Sequence, residues 1–197
     1  MIDEESDRLN RFIEGLSTPD HAEPAPPIHL RAVDVGEIVR SGLHRAETVT
    51  RDHQVRVALD NALPAVSVDA ASITEVMYIL LDNASKYAPA GTTICVESAR
   101  ENDRHVRIRV MDEGPGVPAH LHERVFERFF RVPARESHDP NRGGIGLGLP
   151  IARRLVETQG GRIWMENPAS GLGTTVVMTL PTAIETPDAE RLEQRSA

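Results

Sequence analysis

The 197-residue chain carries 22 basic and 30 acidic side chains, a formal charge of −8. Such a balance gives no general attraction to phosphate backbones or anionic lipid, so no nucleic-acid partner is expected and an anionic ligand must be held by local geometry. The single Cys95 excludes an internal disulfide and a zinc site built from several thiolates. No apolar run reaches the ~18 residues of a membrane span. The acidic start MIDEESDR does not read as a secretory or mitochondrial signal, and a reducing, cytoplasmic setting is expected.

Residues 1–17 carry Ile2, Leu9, Phe12, Ile13 and Leu16 at helical, heptad-like spacing, which fits a short amphipathic cap or a partner-binding stub. Residues 18–32 hold Pro19, Pro24, Pro26 and Pro27 and read as a linker. A helix is predicted over 36–52, then strands at Val55–Leu59 and Val66–Val68 joined by a turn around Asn61 and Pro64. Asp69 stands where an N-cap belongs. A long helix follows to Tyr87 on the stripe Ile73, Val76, Met77, Leu80, Leu81 and Ala84, and Pro89 and Gly91 end it. Alternation predicts strands at Thr92–Ser98 and Arg104–Val110, with Arg107 and Arg109 facing out. Residues 112–146 are rich in Gly, Pro and charge and read as a lid. A helix from Leu147 to Gln159 is stopped by Gly160-Gly161, strands at 162–166 and 173–180 form a hairpin, and 182–197 read as a polar tail. The order predicts an α/β two-layer sandwich, a mixed sheet with helices on one face, its neighbouring strands mostly antiparallel, and the lid over a pocket on the helical side.

Four clusters carry chemistry. At the end of the long helix Asn83, Lys86 and Tyr87 stand i, i+3, i+4 on one face, suited to a metal ion, a phosphate and a purine. Of the 22 basic residues Lys86 alone is Lys, and a compact ammonium is a point-charge phosphate binder. Asp112-Glu113-Gly114-Pro115-Gly116 follows a strand; its glycines allow close backbone approach, and the Asp suits an exocyclic amine. Phe126, Phe129 and Phe130 fall within five positions, interleaved with Arg128 and Arg131. Gly143-Gly144-Ile145-Gly146-Leu147-Gly148-Leu149 opens into a helix whose free N–H groups suit an anion. Read singly, these are a solvated helix end, a turn, core aromatics and a flexible loop.

Together, LLDNASKYAP, MDEGPGV, VFERFFR, GGIGLGLPIARRLVETQGG and GLGTTV resemble the N, G1, F, G2 and last glycine boxes of the ATP-binding catalytic domain of sensor histidine kinases. That group shares the Bergerat fold with gyrase, Hsp90 and MutL. The resemblance covers residues 33–181, and the F box selects histidine kinases within the wider group. DRLNRFIEGL is similar to the end of the kinase dimerisation hairpin.

The resemblance implies ATP and Mg²⁺ as ligands. It places Asn83 on Mg²⁺, Lys86 on phosphate, Tyr87 against adenine, and Asp112 on the adenine amine with Gly114 and Gly116 beside it. Thr174 or Thr175 would support the adenine end, and Arg128 or Arg131 would reach the γ-phosphate. Gly144, Gly146 and Gly148, with Leu147 and Leu149 between and after them, would hinge the lid and bring helix N–H groups to the phosphates. Catalysis would rest on Asn83, Lys86 and Arg128, with phosphoryl transfer to a histidine ring nitrogen on a hairpin domain, in cis or in trans, and onward to a response regulator. A membrane-bound sensor in a longer chain is compatible with this.

Two departures stand out. None of the eight histidines sits in the phosphoacceptor motif, His122-Glu123 coming nearest, so the chain is expected not to phosphorylate itself. Ile79 occupies the place of the family's second Asn and can neither ligate metal nor activate water; Glu75, two turns before Asn83, is a distant substitute. Three readings stay open: a histidine kinase catalytic domain, a non-catalytic nucleotide-binding or regulatory module, and a stand-alone ATPase or serine kinase of the wider group.

Overall fold

The structure is a computed structural model that describes residues 29–133, 145–168 and 171–183. Its strands are β1 (Arg31–Val33), β2 (Gln54–Leu59), β3 (Val66–Val68), β4 (Thr93–Asn102), β5 (His105–Asp112), β6 (Arg162–Glu166) and β7 (Thr174–Pro181); its helices are α1 (Val35–Thr50), α2 (Ala70–Tyr87) and α3 (Gly148–Glu157). Five strands form a mixed sheet in the order β2-β4-β5-β7-β6, and β1 pairs with β3 in a separate two-stranded sheet.

Local chemistry starts the helices: the cap at Asp69 is as predicted, and the helix expected over 36–52 begins one residue earlier, behind Asp34. Asp34 caps α1 by accepting from the Glu37 N–H at 2.9 Å, and Asp69 caps α2 by accepting from the Ser72 N–H at 2.8 Å. Ala88 is extended, as a residue before proline must be, and α2 stops there. Behind Asp69, the buried Gln159 side chain accepts from the Asp69 N–H at 2.7 Å and so ties the end of α3 to the start of α2.

One face of the sheet carries Ile94, Val96, Val106, Ile108 and Val110, all nearly inaccessible and joined in one core with Ile38, Ile73, Met77, Leu80 and Val156 of the helices. α2 is the central helix and packs against both α1 and α3. The opposite face is polar: Arg107 pairs with Glu101 at 3.0 Å and Arg109 with Glu166 at 2.9 Å, as outward-facing positions should. The two-layer α/β sandwich with helices on one face is thus observed.

The close approach of α1 to α2 rests on Gly42, where a Cβ would lie 2.5 Å from Met77 Cβ. Gly42→Ala is expected to lower stability by roughly 1–2 kcal/mol, since the forced separation outweighs the gain in helix propensity. A urea midpoint at or above that of the parent chain would contradict the packing.

Four expectations are corrected. The strands read at 55–59 and 66–68 do not pair: β2 lies parallel to β4, with α2 in the crossover between them, while β3 leaves the main sheet for β1. Arg31 and Ala32, inside the stretch read as linker, belong to β1. At the other end Thr182 donates to the Arg104 carbonyl at 2.8 Å and Ala183 to Ala65 at 2.8 Å, so chain order continues past the expected tail boundary. The stretch after Asp112 is not irregular throughout: it makes two short 3-10 turns, Ala119–Leu121 and Arg124–Phe126, with Leu121, Val125 and Phe126 buried. Residues 134–144, where the rest of the lid was read, lie outside the described residues.

Candidate functional site

The site is built around the last two turns of α2. The apolar stripe of this helix faces the core, which leaves Asp82, Asn83, Lys86 and Tyr87 half-buried at its margin. Lys86 Nζ donates to Asp82 Oδ2 one turn back.

β5 delivers Asp112 beside this helix end. Asp112 lies opposite Thr174 of β7 in the ladder, and its Oδ1 accepts from the Gly114 N–H at 2.8 Å and the Thr174 N–H at 3.2 Å. Burial pushes the carboxyl up to about 6, against the pull of those hydrogen bonds. A carboxyl so displaced, held by two backbone donors at the end of a strand, makes Asp112 a candidate binding group.

Glycines let three segments converge on this point. A Cβ on Gly114 would lie 3.0 Å from the Tyr87 carbonyl, so the loop after β5 rests on the end of α2. Gly116, at φ +69°, would place one 2.6 Å from the Gly173 carbonyl. Gly173 itself, at φ +90°, would drive a Cβ to 1.8 Å from the Asp112 carbonyl oxygen. Gly173 stands inside the GLGTTV box, where spacing alone does not single it out.

α3 reaches the same helix from the other side. A Cβ on Gly148 would sit 3.2 Å from Ile79 Cγ2 and 3.7 Å from Asn83 Nδ2. The first turn of α3 therefore lies directly on Ile79 and Asn83. No side chain caps this helix, and Pro150 has no N–H, which leaves the Gly148 and Leu149 N–H groups at its start. The Leu147 and Leu149 side chains pack against the core, so these residues offer a ligand their backbone only. Gly146, at φ +78°, accepts through its carbonyl from the Phe129 N–H at 2.9 Å, which joins the glycine loop to the aromatic segment.

The aromatic cluster divides. Phe126 is buried with the Arg153 guanidinium 3.9 Å over its ring; Phe130 is half-buried with Arg124 at 4.4 Å; Phe129 is 66% exposed at φ 62°. Arg128 and Arg131 are both exposed beside it. Gly144 lies outside the described residues. Thr174 is half-buried at the site, whereas Thr175 is 2% exposed and pairs with Met111.

Two candidates are set aside. Glu75 binds Arg45 at 2.7 Å, committed to the contact between α1 and α2 rather than to Asn83. His122 Nε2 is 2.9 Å from the Val117 carbonyl and holds a turn. Ile79 has a packing role: it is 8% exposed and supports Gly148.

Among the described residues no group of three or more His, Cys, Asp and Glu is placed to hold a metal ion. What the site offers a divalent cation is the Asn83 amide oxygen; the amide's Nδ2 is a buried donor without a hydrogen-bond partner, suited to a phosphate oxygen. One amide oxygen plus ligand phosphates suits Mg²⁺, which favours few protein donors and substrate oxygens.

The family model described as histidine kinase-, DNA gyrase B- and HSP90-like ATPase matches residues 68–184. Sensor protein KdpD of Clostridium acetobutylicum is 34% identical over 171 residues, which is 86% of this chain and 19% of that protein. The chain thus spans about a fifth of this curated relative. The mycobacterial sensor histidine kinase MprB superposes with a TM-score of 0.66 at 28% identity, over 78% of this chain and 97% of that one. Full-length ShkA in complex with AMPPNP shares the fold, with a TM-score of 0.70 at 23% identity over 89% of this chain and 35% of that one. The loop after β5 and the start of α3 meet on the end of α2, and the aromatic segment joins them through Gly146, within the span that the family model matches: the chain belongs to the histidine kinase-, DNA gyrase B- and HSP90-like ATPase family and carries the catalytic domain found in sensor histidine kinases.

Proposed function

We propose that this domain binds ATP with Mg²⁺ over the end of α2 and transfers the γ-phosphoryl group to a histidine on a separate hairpin domain. The bond from the γ-phosphorus to the β–γ bridging oxygen breaks, a phosphorus–nitrogen bond forms on the imidazole, and ADP leaves. Asp112 accepts from the adenine amine, Tyr87 lies against the ring, and Gly114, Gly116 and Thr174 line that end. Lys86 and the Gly148 and Leu149 N–H groups meet the phosphates, with Gly146 allowing the loop its approach. Asn83 holds Mg²⁺, which when bound neutralises phosphate charge. Arg128, with Arg131 as the alternative, comes to the γ-phosphate from the aromatic segment. Such transfer needs alignment and charge neutralisation more than covalent help from the protein.

The observation that carries this reading is the convergence of Asn83 with Gly148 and of Tyr87 with Gly114 on one helix end. It also answers how a chain of charge −8 would hold a polyanion: the positive groups are local. Residues 1–17, outside the described residues, fit the end of a dimerisation hairpin, and the stretch from 18 up to β1 its linker; the catalytic domain runs from β1 to Ala183, and the residues after it fit a tail. A response regulator downstream and a cytoplasmic setting belong to the same proposal.

The test is transfer in trans. With ATP, Mg²⁺ and a separate histidine-bearing hairpin domain, acid-labile label should appear on the hairpin and none on this chain. Ile79, which replaces a potential metal ligand with a packing contact, favours a second reading as a non-catalytic nucleotide-binding module. Tight nucleotide binding without transfer would establish that one.

A further inference from the structure

The cation of the proposed phosphate site is not unopposed. Lys86 Nζ is held by Asp82 Oδ2 at i,i+4 spacing, acidic residue first, which is the favourable order along a helix. The two side chains are only 19% and 17% exposed. The pair is therefore screened less than a surface ion pair, and either group left alone there would be costly. Asp82 also immediately precedes Asn83, so the carboxylate and the amide belong to the same turn of α2 although their side chains do not face each other.

Resting on the nucleotide-binding reading above, we propose that Asp82 is a positioning and specificity-determining residue of the phosphate site. It holds the Lys86 ammonium in the ligand-free protein, and a phosphate gains that ammonium only by taking it from Asp82. The carboxylate left behind then faces a polyanion, and its repulsion and lost partner subtract from the attraction between Lys86 and phosphate. A divalent cation at Asn83 would compensate the released carboxylate. The pair thus makes polyphosphate affinity depend on the cation more steeply than Lys86 alone would. A nucleoside without phosphates leaves the pair intact and is indifferent to it.

Calorimetric titration of the whole chain with ATP and with adenosine, each in EDTA and in excess Mg²⁺, tests this. Asp82→Asn is expected to bind ATP roughly three- to tenfold more tightly than the parent in EDTA, to show a smaller gain from Mg²⁺, and to bind adenosine unchanged. Asp82→Glu, which keeps the charge, should behave as the parent. Asp82→Ser is measured in parallel, so that misfolding of one variant does not decide the matter, and should follow Asp82→Asn. ATP affinity in EDTA that is unchanged or weaker in the neutral variants overturns the proposal, as does an equal change for adenosine. Failure of the parent chain to bind either ligand overturns the nucleotide reading itself.

Discussion

Asp112→Asn is expected to raise the melting temperature of the ligand-free protein at pH 8 while removing most of its affinity for adenine nucleotides. The two effects share one cause. Burial lifts the Asp112 carboxyl from its ordinary value of 3.8 to about 6. Between those values the folded chain keeps a proton that the unfolded chain has released. Stability therefore falls as pH rises through that window and levels off above it. The loss is of order 2 kcal/mol, with allowance for the partial exposure of the residue. Asparagine keeps Oδ1 for the Gly114 and Thr174 N–H groups and carries no charge, so the slope should disappear and the melting temperature rise by about 3–6 °C. The same change puts an NH₂ where the proposed adenine amine must donate, and two donors facing each other should weaken ATP binding roughly 100-fold. In the parent chain affinity should also decline below pH 6 as the carboxyl protonates. Melting curves from pH 4.5 to 8 and calorimetry at pH 8 check both halves. A variant that binds ATP as the parent does would take Asp112 out of the adenine site.

Gly173→Ala is the substitution expected to cost the fold most. Its Cβ would lie 1.8 Å from the Asp112 carbonyl oxygen, a backbone atom that no rotamer change can move aside, and its φ of +90° disfavours any side chain. Relief requires β5 and β7 to part where Asp112 faces Thr174, which breaks the 3.2 Å hydrogen bond that helps hold the Asp112 carboxylate. A loss of about 3–5 kcal/mol is expected. Gly171 provides the comparison: it has φ +72° but nothing within 4 Å of its Cβ position, so Gly171→Ala should cost only about 1 kcal/mol. Urea denaturation of the two variants separates a crowded glycine from one that is merely left-handed. Equal midpoints would mean that the two loops do not cross as described.

Much of the site was legible because its parts are local. Asn83, Lys86 and Tyr87 share a face by helix periodicity alone, and the Asp82–Lys86 pair, which the sequence reading passed over, follows from the same i,i+4 geometry. The role of Gly148 could be placed only roughly, since its neighbours Ile79 and Asn83 come from a helix more than sixty residues earlier. The aromatic segment shows the same limit. Spacing marked three phenylalanines as one cluster, yet the fold buries Phe126, half-buries Phe130 and turns Phe129 outward at a positive φ. Which ring finds the core depends on where α3 lies beneath the segment.

The amino-acid order alone determined the cap at Asp69, the run of α2 to Tyr87, the outward Arg107 and Arg109, and the identity of the boxes. These follow from hydrogen bonds and side-chain periods that close within a few residues. Tertiary structure decided that β2 runs parallel to β4, that β3 pairs with β1, that Gly173 lies under Asp112, and that Ile79 supports α3. The reason is range. Asp112 and Thr174 are 62 positions apart, and their contact is set by how two whole strands register across the sheet, which no local propensity encodes.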